Sequence, residues 1–165
     1  MRTCTCNLAM LALLLVSNVA WSEESKVELG DVPQSGVAAV KAMFPDAKIE
    51  GAAKETEAGK TVYEITLTQK DLNIDVTVDT DGKIQIVERQ IAAKDLPAAV
   101  KQTLEAKYPK ATYKVVEQVE MMKDGKLSLD FYEAHLVTTD KQSIEVEIAP
   151  DGKIKAEEIK KPGDN

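Results

Sequence analysis

Two runs of apolar residues at helical spacing, each followed by stretches that alternate apolar with polar residues, lay out the plan of this chain. Val32, Val37, Val40, Met43 and Phe44 recur at helical spacing and stop at Pro45. Leu96, Val100, Leu104 and Tyr108 do the same before Pro109. Asp31 and Asp95 stand where N-caps belong, with Pro33 and Pro97 just inside each helix. After each helix the period changes to two. Ala111, Tyr113, Val115, Val119 and Met121 alternate with Thr112, Lys114, Gln118 and Glu120, which predicts a strand buried on its apolar face. A hairpin turn is expected at Lys123-Asp124-Gly125-Lys126. Leu127, Leu129 and Phe131 continue the alternation, but Tyr132, Ala134 and Leu136 take the opposite parity, so a bulge is expected near Phe131 and Tyr132. Ile144, Val146 and Ile148 make a third strand, and Asp151-Gly152 turns the chain into a fourth, Lys153 to Ile159. The first half predicts strands near 47–55, 61–69, 72–79 and 83–90.

The two halves repeat one another. Asp31-Val32-Pro33 and Phe44-Pro45 return as Asp95-Leu96-Pro97 and Tyr108-Pro109, an offset of 64. Tyr63-Glu64 returns as Tyr132-Glu133, and Asp81-Gly82-Lys83-Ile84 returns as Asp151-Gly152-Lys153-Ile154 at an offset of 70, so the second copy carries a small insertion. The fold class that follows is α+β, in two tandem units, each a helix packed on a four-stranded antiparallel sheet, with the sheets side by side. The units are expected at 31–91 and 92–160, after a flexible leader at 23–30 and before a disordered tail at 161–165.

Residues 1–22 have the form of a secretory signal peptide: Arg2, the apolar run from Leu8 to Val16, then Ala20-Trp21-Ser22 with cleavage after Ser22. The run is too short for a permanent membrane span. Cleavage removes Cys4 and Cys6 and leaves 143 residues without a thiol, which excludes disulfides, thiolate catalysis and cysteine-bound metal. It also takes the formal charge from −7 to −8. Such a surface repels phosphate backbones and anionic lipid, so neither nucleic acid nor, after signal cleavage, membrane insertion is expected. The expected location is periplasmic or secreted.

Candidate chemistry is sparse. His135 is the one histidine, on an outward parity with Glu133, and a lone histidine completes no metal or catalytic set; a hydrolase using Glu133 and His135 is the remote enzyme reading. Asp79 and Asp81, around Gly82, mimic part of a calcium loop and are the weak metal candidates, but residue 77 is threonine and strands flank the turn. Asp-Gly at a hairpin is explained by its tolerance of positive φ. No cofactor is expected. Glu120, Glu133, His135, Glu145 and Glu147 are predicted to share the outward sheet face, a mostly acidic strip that complementary charge fits to a basic partner.

The order of helix, Phe44-Pro45 or Tyr108-Pro109, Tyr63-Glu64 or Tyr132-Glu133, then Val76-Thr77-Val78 or Val146-Glu147-Ile148 before Asp-Gly-Lys-Ile resembles the PepSY-like family, including its β-lactamase-inhibitor-like members. The resemblance spans nearly all of the chain after residue 22. It implies small exported domains that bind or restrain other proteins, some as peptidase inhibitors, without catalysis of their own. The function expected is therefore an exported, non-enzymatic protein-binding or inhibitory module using an open sheet face. Its partner would be another exported or envelope protein, such as a peptidase or other enzyme. The alternative is a calcium or small-ligand-binding envelope sensor.

Overall fold

A computed structural model describes residues 25–57 and 59–160. Its elements run β1 Ser25–Val27, α1 Gln34–Met43, β2 Lys48–Glu57, β3 Lys60–Gln69, β4 Leu72–Asp79, β5 Ile84–Gln90, a 3₁₀ turn Ala93–Asp95, α2 Ala98–Lys107, β6 Thr112–Lys123, β7 Lys126–Val137, β8 Ser143–Ile148 and β9 Ile154–Lys160. The signal peptide expected at 1–22 and the tail expected at 161–165 lie outside the described residues.

The strands form one nine-stranded antiparallel sheet in chain order, β1 to β9. This overturns the expectation of two tandem units, each a helix on its own four-stranded sheet. β5 pairs directly with β6, from Ile86 opposite Met121 to Gln90 opposite Glu117, and Ile91 N–H extends the ladder to Val116 O at 2.8 Å. The cause is the cost of an open edge. Separate sheets would leave β5 and β6 with unpaired backbone groups, in units of about 60 residues each, a size that is marginal alone. Joining them satisfies the ladder and lets the cores support one another. The leader expected at 23–30 also contributes structure, because Ser25–Val27 pairs with Ala52–Lys54 of β2 as an edge strand.

Cross-strand partners share a face, so the register decides what lies under the helices. Ile74, Arg89, Gln118, Tyr132 and Ile148 are successive partners across β4 to β8. Ile74 packs in the α1 core with Val37, Val40, Phe44, Val76 and Val87. Tyr132 and Ile148 pack in the α2 core with Val100, Leu104, Ala134 and Val146. Both helices therefore cover one face, and among the described residues the other carries no helix. Neither helix takes a side-chain cap; Pro33 and Pro97, rather than Asp31 and Asp95, occupy the N-cap positions.

Each helix is seated on an Asp-Gly turn. Ser35 Oγ donates to Asp81 O at 3.1 Å, and Thr103 Oγ1 donates to Gly152 O at 2.9 Å. Gly82 and Gly152 adopt φ of +77° and +86°. A Cβ on Gly152 would stand 2.8 Å from Ala99 O, and one on Gly82 would stand 2.6 Å from Gly36 N. The repeat thus keeps these glycines for close approach of the helix as well as for backbone conformation.

Candidate functional site

The helix-free face is built from the alternate residues of every strand that the core does not use. Its central row is Gln90, Glu117, Glu133, Glu147 and Ala156, directly opposite one another across β5 to β9. Three of these five are carboxylates on adjacent strands, an arrangement that like-charge repulsion disfavours. One row away lie Thr66, Asp75, Glu88, Val119 and Phe131. On the other side lie Val115, His135, Glu145 and Glu158. A further row holds Glu64, Thr77, Ile86, Met121 and Ser128. Acidic groups are thereby interleaved with apolar ones.

Asp75, Glu88, Glu117 and Glu133 are all part-buried, and shielding from water is the main reason that each holds its proton more tightly than a free carboxyl. Glu88 is pushed up to about 8 by burial, with Glu133, Glu117, Glu64 and Asp75 adding repulsion. Glu117 is raised to about 7 by burial and then by Asp75 and Glu145. Glu133 is raised to about 7 by burial and by Glu145, Glu117 and Glu147, with Lys160 pulling the other way. Asp75 is raised by burial and partly relieved by a hydrogen bond with Thr66.

Four of the five residues expected on one strip, Glu133, His135, Glu145 and Glu147, do share the helix-free face. Glu120 does not. It pairs with Val87 and Leu129 on the helix side, where it makes an ion pair with Arg89, whose guanidinium also lies 5.3 Å from the Phe44 ring centroid. The predicted parity of β6 is inverted there: Val115, Val119 and Met121 lie on the helix-free side, and Val116 enters the α2 core. An extra residue at Lys114 of β6 causes this, and a second irregularity, an extra residue at Asp130 between the Glu120–Leu129 and Val119–Phe131 pairs, reverses β7. The second is the bulge expected near Phe131, displaced by a residue. Val119 is only 2% exposed despite lying opposite the helices, so burial alone misreports its face.

Asp75, Glu88 and Glu117 were not anticipated on this face. Glu117 had a visible signal, since it interrupts the apolar parity of Val115, Val119 and Met121. Asp75 and Glu88 had none, because an outward acid in an alternating strand is ordinary.

Around His135, Nε2 lies 2.6 Å from Ser143 Oγ, and Lys160 Nζ binds Glu145 at 2.9 Å and Glu158 at 3.1 Å. Asp79 Oδ1 accepts the backbone N–H of Asp81 at 2.9 Å and of Lys83 at 2.8 Å, and its Oδ2 accepts Gln85 Nε2 at 2.8 Å. Asp81 makes an exposed 3.7 Å pair with Lys83. Among the described residues no group of three or more His, Cys, Asp or Glu side chains is arranged to hold a metal ion. A hollow of about 450 Å³ lined by Leu29, Lys41, Phe44, Pro45, Ala47 and Ile49 lies at the end of α1, away from these carboxylates. No helix among the described residues is long and apolar enough to cross a membrane.

Comparison with known proteins agrees with this duplicated architecture. The family described as "Putative beta-lactamase-inhibitor-like, PepSY-like" matches twice, over residues 16–86 and 79–156. The chain belongs to this PepSY-like family. Solved structures similar to the PepSY-like chain include one described as a "putative periplasmic" protein from Bacteroides eggerthii, with 15% identity and TM-score 0.62 over 78% of this chain and 88% of that one. A DUF2874 family protein from Bacteroides uniformis has 16% identity and TM-score 0.61, over 78% and 89%. A BLIP-like protein from Bacteroides fragilis has 16% identity and TM-score 0.60, over 81% and 90%. At these identities the likeness shows a shared fold. No curated protein matches the PepSY-like sequence.

Proposed function

We propose that the PepSY-like chain is an exported, non-enzymatic binding module that receives a basic segment of another envelope protein on the helix-free face of its sheet. The observation that carries this reading is the in-register row Glu117, Glu133 and Glu147, flanked by Glu88 and Glu145 and interleaved with Val115, Val119, Ile86 and Met121. Apolar side chains supply area to bury, while the carboxylates select for positive charge and suppress acidic competitors. His135 and Glu145 would extend the contact toward β9. Export is supported by the form of residues 1–22 and by the periplasmic description of a relative with the same fold. An inhibitory role, with a peptidase or other enzyme as partner, is supported by the BLIP-like name of another. Catalysis by Glu133 and His135 is the weaker reading, since the hydrogen bond that His135 Nε2 makes is to Ser143 Oγ rather than to Glu133.

The test is crosslinked capture from an envelope extract, comparing the wild-type chain with a Glu117→Lys, Glu133→Lys, Glu147→Lys variant whose circular dichroism is unchanged. Loss of the captured partner in the variant is expected. Equal recovery by both chains would remove the helix-free face from the function.

A further inference from the structure

Taking the docking reading above as given, we propose that the carboxylate row across β4 to β7 makes the helix-free face proton-gated: more strongly charged and more receptive to a basic partner in a mildly alkaline medium than in a mildly acidic one. The geometry is the warrant. Glu117 stands directly opposite Glu133, and Glu133 directly opposite Glu147. Glu88 lies a diagonal step from Glu117, and Asp75 is the direct partner of Glu88. Backbone hydrogen bonding holds these strands at fixed spacing, so the carboxylates can separate only as far as their own side-chain rotamers allow.

The charged groups that reach the row come from every neighbouring strand. β3 supplies Glu64, β4 Asp75, β5 Glu88 and β6 Glu117. β7 adds Glu133 and His135, β8 adds Glu145 and Glu147, and β9 adds Glu158 and Lys160. Lys160 is shared between Glu145 and Glu158, and Lys155 is held by Asp130 with its ammonium 4.4 Å from the Phe131 ring. The cations of β9 therefore serve the border of the face rather than its centre. Protons are the remaining means of relieving the central repulsion, in keeping with Glu88 titrating at about 8 and Glu117 and Glu133 at about 7.

The sign of the linkage is fixed. The folded chain keeps these protons at a pH where the unfolded chain has released them, since free glutamate titrates near pH ~4.5. Their stabilising contribution is fully present below about pH 4.5 and is lost as pH rises through 7 to 8. The face gains negative charge over the same interval.

The experiment uses the chain from Glu23 onward with ¹³C-labelled glutamate, titrated by carboxyl NMR from about pH 4 to pH 10, a range that spans both free and raised values. Three glutamate carboxyl signals with midpoints above about pH 6.5 are expected, one vanishing in each of Glu88→Gln, Glu117→Gln and Glu133→Gln. Glu105→Gln, on the exposed side of α2, should leave all three in place. If every glutamate titrates below about pH 5.5, as free side chains do, the proposal fails. In parallel, an octalysine peptide is expected to bind the wild type roughly tenfold more tightly at high than at low pH, with the Glu88→Gln, Glu133→Gln double variant showing a flatter response. Raised midpoints with pH-independent peptide binding would overturn the gate. Raised midpoints without peptide binding at any pH would refute the docking reading while leaving the proton uptake standing.

Discussion

Replacing Arg89 with methionine should destabilise the fold through Glu120, its partner on the helix side of the sheet. Arg89 and Glu120 form an ion pair with side-chain exposures of 31% and 17%, and Glu120 Oε2 is sheltered from water and accepts no other hydrogen bond among the described residues. Burial also lowers the hold of Arg89 on its proton, the expected sign for a guanidinium drawn out of water. Removing one partner of a fully buried pair costs about 3–5 kcal/mol. The partial exposure here reduces that to about 2 kcal/mol, to which loss of the Phe44 contact adds about 0.5 kcal/mol. The chain from Glu23 has no tryptophan, so urea unfolding is best followed by far-ultraviolet circular dichroism. With a slope of about 2 kcal/mol per molar urea, the midpoint should fall by about 1 M. The double variant Arg89→Met, Glu120→Leu should recover to within about 1 kcal/mol of wild type, because no charge is then stranded. If both variants are equally destabilised, the loss is one of packing and the argument from a stranded carboxylate is wrong.

Two further predictions concern the duplicated turns. Gly152→Ala should cost about 2–4 kcal/mol, since positive φ is disfavoured by about 1–2 kcal/mol and the new Cβ must also push α2 away. Gly125→Ala, at φ +76° with open space around it, should lose only the backbone part, about 1 kcal/mol, and equal midpoints in urea would contradict helix seating. Asp79→Ala should remove three hydrogen bonds from the β4–β5 turn and cost about 1–3 kcal/mol, with a wild-type melting temperature unmoved by calcium or chelator; a calcium-dependent rise would instead establish a metal role for Asp79 and Asp81.

The helices and most strands were legible in the sequence because each signal is local. The expected 72–79 strand coincides with β4, and the expected turn at Lys123 to Lys126 has Asp124 and Gly125 at φ +51° and +76°, the conformation such a pair favours. The candidate face was only partly legible. Glu133, Glu145 and Glu147 follow from alternation within the regular stretches Tyr132 to Val137 and Ser143 to Ile148, beyond the irregularity at Asp130. Glu120 was misplaced because a one-residue irregularity within a strand reverses every side chain beyond it. Nothing in the composition of β6 announces that Lys114, rather than a neighbour, is the extra residue.

By itself the sequence determined the repeat, the two short helices, the Asp-Gly turns, the acidic balance and the family, all of which depend on residue type and spacing along the chain. The tertiary structure alone decided that nine strands make one sheet, that both helices take the same face, and that Asp75, Glu88 and Glu117 join Glu133 opposite them. Those outcomes depend on which strand edges meet and in what register. Edge pairing is made by backbone groups that every residue carries alike, so it leaves little trace in the order of side chains.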